Sequence, residues 1–237
     1  MKTASVPLFI SHRTLRTIRH PRPSRVEWCL DSGGFTELSL HGLWTISPDE
    51  YAWKAFVYMT NHGKMTWASQ QDWMVEEFML ERTGKTIAEH QSLTTQNLLD
   101  LRHSEPKVPF IPVIQGQSVD DYFAHIAQFK DAGIDLTKEN TVGIGSVCRR
   151  QSTREIVDIV TEITRYGLHL HGFGMKTLGL KKIGHLMKSA DSMAWSFAAR
   201  RQNLRLPQCT HQAQRCSDCL VFAQQWRNQL LEKVSAQ

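Results

Sequence analysis

Three aspartates stand where strand-like runs give way to polar or small residues: Asp31 closing "VEWCLD", Asp72 in "SQQDWM" and Asp191 in "DSMAWS". Taken singly, each reads as a helix cap or a turn residue. Gathered on one edge, three carboxylates can attack carbon, shuttle a proton and accept hydrogen bonds from a polar ligand. A second constellation is "CTHQAQRCSDC", with Cys209, His211, Cys216 and Cys219. Three thiolates and an imidazole fill a tetrahedral zinc shell, and four protein ligands leave no position for an activated water. One structural zinc is therefore expected, with His185 the nearest rival to His211 as the fourth ligand. A third pattern, His169 and His171 in "HLHGFG", could serve a metal-dependent hydrolase. Residues two apart on a strand share a face, so both rings are expected to line one interior. No later strand end supplies a further histidine for such a site. "GIGSV" (143–147) lacks the G-x-G-x-x-G spacing and the acidic residue of a dinucleotide loop. Its small residues instead let a ligand approach the backbone.

These residues need elements to hold them. Short apolar runs suited to strands are "VPLFIS" (6–11), "VEWCLD" (26–31), "MTWASQQ" (65–71), "VPFIPVIQ" (108–115), "TVGIGSV" (141–147), "LHLHGFG" (168–174) and "ADSMAWS" (190–196). Amphipathic segments lie between them. The segment 47–63 starts on Ser47 with Pro48 at the first helical position, and 118–133 starts on Ser118 before an acidic first turn. The segment 152–167 pairs Ser152 with Glu155 at capping-box spacing; all three close on glycine. Strand–helix alternation predicts a parallel sheet with helical crossovers. With about eight strands, a (β/α)8 TIM barrel over residues 1–205 is the leading architecture, and a doubly wound open sheet is the second. From about residue 206 the chain turns Cys- and Gln-rich, so 206–237 is expected to form a small C-terminal zinc lobe with a helix packed on the barrel. Six of the predicted C-terminal strand ends are unusually polar. They comprise Asp31 and Ser32, Gln70 to Asp72, Gln115 and Gly116, Gly145 and Ser146, His171 and Gly172, and Asp191 and Ser192. Such a rim suits a flat polar ligand, and Gly33 and Gly34 would keep the backbone thin beside Asp31.

The chain has 237 residues, 41% hydrophobic and 22% charged, with a formal net charge of +5. That length suits one large domain or two small ones. No apolar run approaches the roughly 18 residues of a membrane span, and the start lacks a signal-peptide pattern, so a cytoplasmic protein is expected. Five cysteines, three of them crowded near the end, suit a metal better than a secreted disulfide framework. Basic clusters occur at 12–25, 148–154, 176–182 and 199–205. They suit a polyanion, with Arg22, Arg25, Arg149, Arg150, Arg200 and Arg201 as candidate phosphate contacts.

In order along the chain, "DSGGF", "IQG", "IGSV", "HGFG" and "DSMAWS", with clustered cysteines after them, resemble the tRNA-guanine transglycosylases. The compact chain and its cysteine spacing look most like the deazapurine-in-DNA transglycosylases of phages and bacterial DNA-modification islands. The resemblance implies a zinc-bearing (β/α)8 barrel, a pentosyltransferase that exchanges guanine for a free 7-deazaguanine base. It makes Asp191 the nucleophile and Asp31 the general acid/base, with Ser32 beside it. Asp72 would accept hydrogen bonds from the guanine N1–H and amino edge, and Gln115 with Gly116 would meet the carbonyl region. Gly145, Ser146 and Val147 would present backbone to the base, and His171 would line the same site. Position 188 is lysine where the bacterial tRNA enzymes carry a second aspartate. DNA is the first-ranked partner and tRNA the alternative. A non-catalytic nucleic-acid-binding barrel stays open as another reading, and so does a homodimer.

Overall fold

The helices follow their caps. The structure, a computed structural model, describes residues 3–147 and 154–235. The chain runs β1 (Leu8–Ser11), α1 (His12–Leu15), β2 (Trp28–Asp31), α2 (Gly34–His41), α3 (Pro48–His62), β3 (Met65–Ser69), α4 (Glu77–Thr83) and α5 (Ile87–Ser104). It continues with β4 (Phe110–Ile111), β5 (Val113–Ile114), α6 (Val119–Asp131), β6 (Val142–Ile144), α7 (Arg154–Arg165), β7 (Leu170–Gly172), α8 (Thr177–Ile183), β8 (Ser189–Ala190), α9 (Ala194–Arg201) and α10 (Leu220–Ser235). Ser47 accepts the Glu50 N–H at 3.2 Å to start α3. Ser118 and Asp121 form a reciprocal capping box on α6, as Thr86 and Glu89 do on α5. Helix α7 buries Ile156, Ile159, Val160 and Ile163, a 3-and-4 spacing that makes one apolar stripe. Each such side chain contributes about 1.5–3 kcal/mol on burial. The proposed cap Ser152 lies outside the described residues.

All strand pairings are parallel and join neighbours in sequence, giving sheets of order β1-β2-β3-β4 and β5-β6-β7-β8. The expected strand at 108–115 is split by Pro112, which has no N–H to donate. The stretch still links both sheets. The Pro109 carbonyl accepts the Ala68 N–H at 3.1 Å on one side, and the Pro112 carbonyl accepts the Gly143 N–H at 2.8 Å on the other. Among the described residues no ladder joins β8 to β1. The architecture established is α/β, with two parallel sheets.

The segment 190–196 differs from expectation. Only Ser189–Ala190 is strand, and α9 begins at Ala194. The Ser192 hydroxyl oxygen accepts the Ala194 N–H at 3.2 Å, a local bond that turns the chain out of the sheet and into the helix. Between the sheets lies an aromatic group: Phe9, Trp67, His171 and Phe173, with ring centroids 4.7–5.9 Å apart. The outer faces are covered by helices over a core that includes Trp28, Tyr51, Leu98, Phe110, Tyr122 and Phe129.

Candidate active site

Because the strands are parallel, their C-terminal ends share an edge, and the register sets them level. Ser11 stands opposite Asp31, Ser69 opposite Ile111, and Gly172 opposite both Ile144 and Ala190. Asp31 therefore ends β2, Asp72 comes after β3, Gln115 after β5, Ser146 after β6 and Asp191 after β8 on one rim. The structure brings these sequence-predicted residues together.

Three of them are bonded to one another. Gln115 Nε2 donates to Asp72 Oδ2 at 2.5 Å, and Ser146 Oγ donates to Gln115 Oε1 at 2.6 Å. Ser146 Oγ also accepts the Val75 N–H at 2.9 Å and faces Glu76 Oε2 at 3.1 Å. Its single proton serves one of the two acceptors, and the shorter distance favours Gln115. Ser146 holds this position with a φ of +56°, a left-handed conformation uncommon outside glycine. A Cβ at Gly145 would lie 2.2 Å from Gln115 Nε2, so the glycine leaves room for the Gln115 amide to hold its bonded position. At Gly116 a Cβ would meet the Tyr122 ring at 2.8 Å, so that glycine serves the packing of α6. Val147 and Ser32 are buried beside the rim.

A second layer fixes the Gln115 backbone. His125 Nδ1 accepts its N–H at 2.8 Å, and Gln91 Nε2 donates to its carbonyl at 2.8 Å. Burial pushes His125 down to about 3, so the ring is neutral and free to act as that acceptor. Sequence reasoning reaches neither Gln91 nor His125, nor does it reach Glu76. The signal for the first two is a polar residue on the buried stripe of an amphipathic helix.

Burial raises two of these carboxyls, and neighbouring negative charge adds to the rise. Burial, then the charges of Asp31 and Glu76, push Asp72 up to about 7 against the hydrogen bonds from its own N–H and from Gln115. Asp31 keeps a partly open surface, yet burial raises it too, with a further push from Asp191; the Gly33 N–H and the Ser11 hydroxyl oppose the rise. Burial thus favours the protonated forms of Asp31 and Asp72, and a carboxyl that retains its proton near neutral pH is what general acid chemistry needs. Asp191 Oδ1 accepts the Gly174 N–H at 2.9 Å, while the Asp191 N–H reaches Gly172 O at 3.3 Å and its carbonyl accepts the Met175 N–H at 2.8 Å.

Some expectations about this edge are corrected. Gly33 adopts a φ of +79° as the cap of α2, and the space a Cβ would need at Gly34 is filled by Trp44 at 2.9 Å and Met74 at 3.2 Å. The pair makes a turn and a close packing contact instead of an opening for a ligand. His169 is exposed whereas His171 is buried, so the two rings do not line one interior. Arg22 and Arg25 are exposed, and their carbonyls accept from His62 and Lys64, just before β3. They sit at the N-terminal edge, opposite the carboxylates. Arg200 and Arg201 are exposed at the end of α9. Arg200 lines a surface recess of about 350 Å³ with Arg215, away from the rim. Arg149 and Arg150 lie outside the described residues.

The cysteine cluster is separate from the rim. The ligand atoms of Cys209, His211, Cys216 and Cys219 all lie within 4.8 Å of one another. Sγ of Cys209 is 3.4 Å from that of Cys219 and 3.7 Å from that of Cys216, and His211 Nε2 is 3.4 Å from Cys216 Sγ. Ligands about 2.3 Å (S) and 2.0 Å (N) from a tetrahedral zinc are separated by close to these distances. The thiols are not paired in disulfides, so the donor set fits one metal ion. The Leu206 N–H points at Cys216 Sγ at 3.3 Å. Burial pushes the Cys219 thiol up, but hydrogen bonds from the Phe222 N–H, the Cys209 thiol, the Val221 N–H and the Cys216 thiol together outweigh it and hold the thiol low. A small apolar cluster of Ala199, Phe222, Trp195, Leu204 and Leu206 surrounds the group.

A parallel α/β protein with an acidic edge presents that edge where parallel sheets commonly bind ligands, at the C-terminal ends of the strands. More particularly, residues 1–237 match the family DpdA, DeoxyPurine in DNA protein A, and the chain belongs to that family. Membership ties it to deazapurine modification of DNA. No curated protein matches the sequence.

Proposed function

We propose that the protein is a transglycosylase that exchanges guanine in DNA for a free 7-deazaguanine derivative through a covalent Asp191 intermediate. The observation that carries this reading is the gathering of Asp31, Asp72 and Asp191 on one strand edge in a DpdA-family chain. In the first step an Asp191 oxygen forms a bond to C1′ as the bond from C1′ to guanine N9 breaks. The electron pair leaves on the base, and Asp31, whose proton burial helps retain, donates a proton to the departing guanine. In the second step the incoming base attacks C1′ through its ring nitrogen, Asp31 takes that nitrogen's proton, and the Asp191 carboxylate is released. Two displacements retain the anomeric configuration and give ping-pong kinetics. Asp72, oriented by Gln115, accepts from the N1–H and amino edge that guanine and 7-deazaguanine share. Adenine or cytosine would leave those acceptors unmet.

In this reading the two sheets are the wall of a (β/α)8 barrel, and residues 206–237 form an appendage whose metal is a structural zinc. A duplex base reaches the rim only when extruded, at a cost of a few kcal/mol. The test is incorporation of radiolabelled 7-deazaguanine into DNA, with tRNA offered in parallel. Wild-type protein should label DNA and Asp191→Asn should lose at least about 1000-fold in rate. Near wild-type exchange by Asp191→Asn removes the nucleophile assignment, and labelling of tRNA alone moves the substrate to RNA.

A further inference from the structure

His171 stands on β7 with its ring enclosed by Phe9, Trp67 and Phe173, at centroid distances of 5.4, 4.7 and 4.9 Å. Its Nδ1 lies 2.8 Å from Ser189 Oγ. Its Nε2 is buried with no hydrogen-bond partner among the described residues, yet it lies 3.4 Å from Asp191 Oδ1. An imidazole nitrogen sealed from water costs free energy unless something engages it. Among the described residues, the charged group placed against it is the carboxylate of Asp191. The aromatic walls prevent the ring from turning elsewhere, and the Ser189 hydroxyl can donate to Nδ1, which places the ring proton on Nε2.

We infer that His171 is a positioning residue for Asp191, an inference that rests on the exchange reading above. The Gly174 N–H and His171 Nε2 both address Oδ1 of Asp191, at 2.9 and 3.4 Å. Two donors on one oxygen fix the carboxylate plane and leave Oδ2 as the oxygen free to meet C1′. The contact to His171 is long in the resting state and shortens when the carboxylate is drawn onto the sugar, as catalytic hydrogen bonds commonly do. His171 then acts through Asp191 and makes no contact with the base.

The test compares wild type with His171→Phe, His171→Gln and Ser189→Ala in the DNA exchange assay. Phenylalanine fills the aromatic enclosure without a donor, whereas glutamine restores an N–H near the position of Nε2. Ser189 is exposed, so its hydroxyl can be removed without disturbing the core. His171→Phe should lower kcat about 10- to 100-fold with the KM for 7-deazaguanine unchanged. His171→Gln should recover most of that loss, and Ser189→Ala should lower kcat a few-fold at unchanged KM. A raised KM for the base at unchanged kcat would place His171 against the ligand and overturn the inference. Wild-type kcat in both His171→Phe and Ser189→Ala would also overturn it, and if His171→Phe fails to fold, Ser189→Ala decides alone. Absence of exchange by the wild-type protein itself is the separate result that defeats the underlying reading.

Discussion

At the scale of single residues, Asp72 has the most to reveal. Its carboxyl is raised from an ordinary 3.8 to about 7 by burial and by Asp31 and Glu76. A raised carboxyl binds its proton more tightly in the folded state, so its contribution to stability is complete below about pH 4 and is lost as pH climbs through about 7. Wild type should therefore lose thermal stability relative to Asp72→Asn between pH 5 and pH 8, by on the order of a few kcal/mol. Melting both proteins across that range checks it, and parallel curves would refute the shift. Base recognition runs the other way, because only the ionised carboxylate accepts from both N1–H and the amino group. The sequence exposes the individual members of this site because each stands at the end of an apolar run. It does not expose their mutual bonds. Asp72 and Gln115 are 43 positions apart, and Ser146 and Glu76 are 70 apart, so nothing local announces that they meet.

At the scale of elements, legibility depends on whether a local rule decides the outcome. Helices α3 and α6 can be read because Ser47 and Ser118 cap them in the expected way. Helix α5 escapes a reading by periodicity despite its capping box, since its long buried face carries His90, Gln91, Thr94 and Thr95 among the leucines. Apolar pattern overextends strand β8, because the Ser192 bond that ends it is a side-chain choice the pattern does not reveal. The cysteine cluster is the easiest element to read, its ligands being confined to eleven consecutive positions. Cys219 immediately precedes α10, which packs on α8 and α9, and Gln224 of α10 bonds Ser5 at 2.7 Å. An ion held by the cluster would anchor α10, the helix that bonds back to Ser5 near the start of the chain. Cys216→Ser should carry no stoichiometric zinc by elemental analysis and melt roughly 10 °C lower, the equivalent of several kcal/mol. A variant that melts with the wild type would show that the ion does not hold α10 in place.

For the whole molecule, charge and edge polarity decide how a polyanion can approach. Arg22 and Arg25 lie on the edge opposite the carboxylates, and Arg200 and Arg201 close α9 at the end that leads away from the rim. DNA affinity should fall steeply with salt, yet replacing either pair by alanine should leave the log–log slope nearly unchanged. A slope lowered by about 2 for either pair, measured by binding titrations at several salt concentrations, would contradict this orientation.

Pro112 has a consequence for how the chain acquires its shape. Every ladder joins strands adjacent in sequence, and the proline stands where one set of four ends and the next begins. The first set is complete in sequence once Ile111 has been made, and the second draws all its strands from Val113 onward. A ribosome can therefore release the two halves in turn, each with its own pairings close at hand, before Phe9 from the first meets His171 from the second. The backbone that holds Asp191 lies wholly in the second half, whereas the Phe9 and Trp67 walls around His171 come from the first.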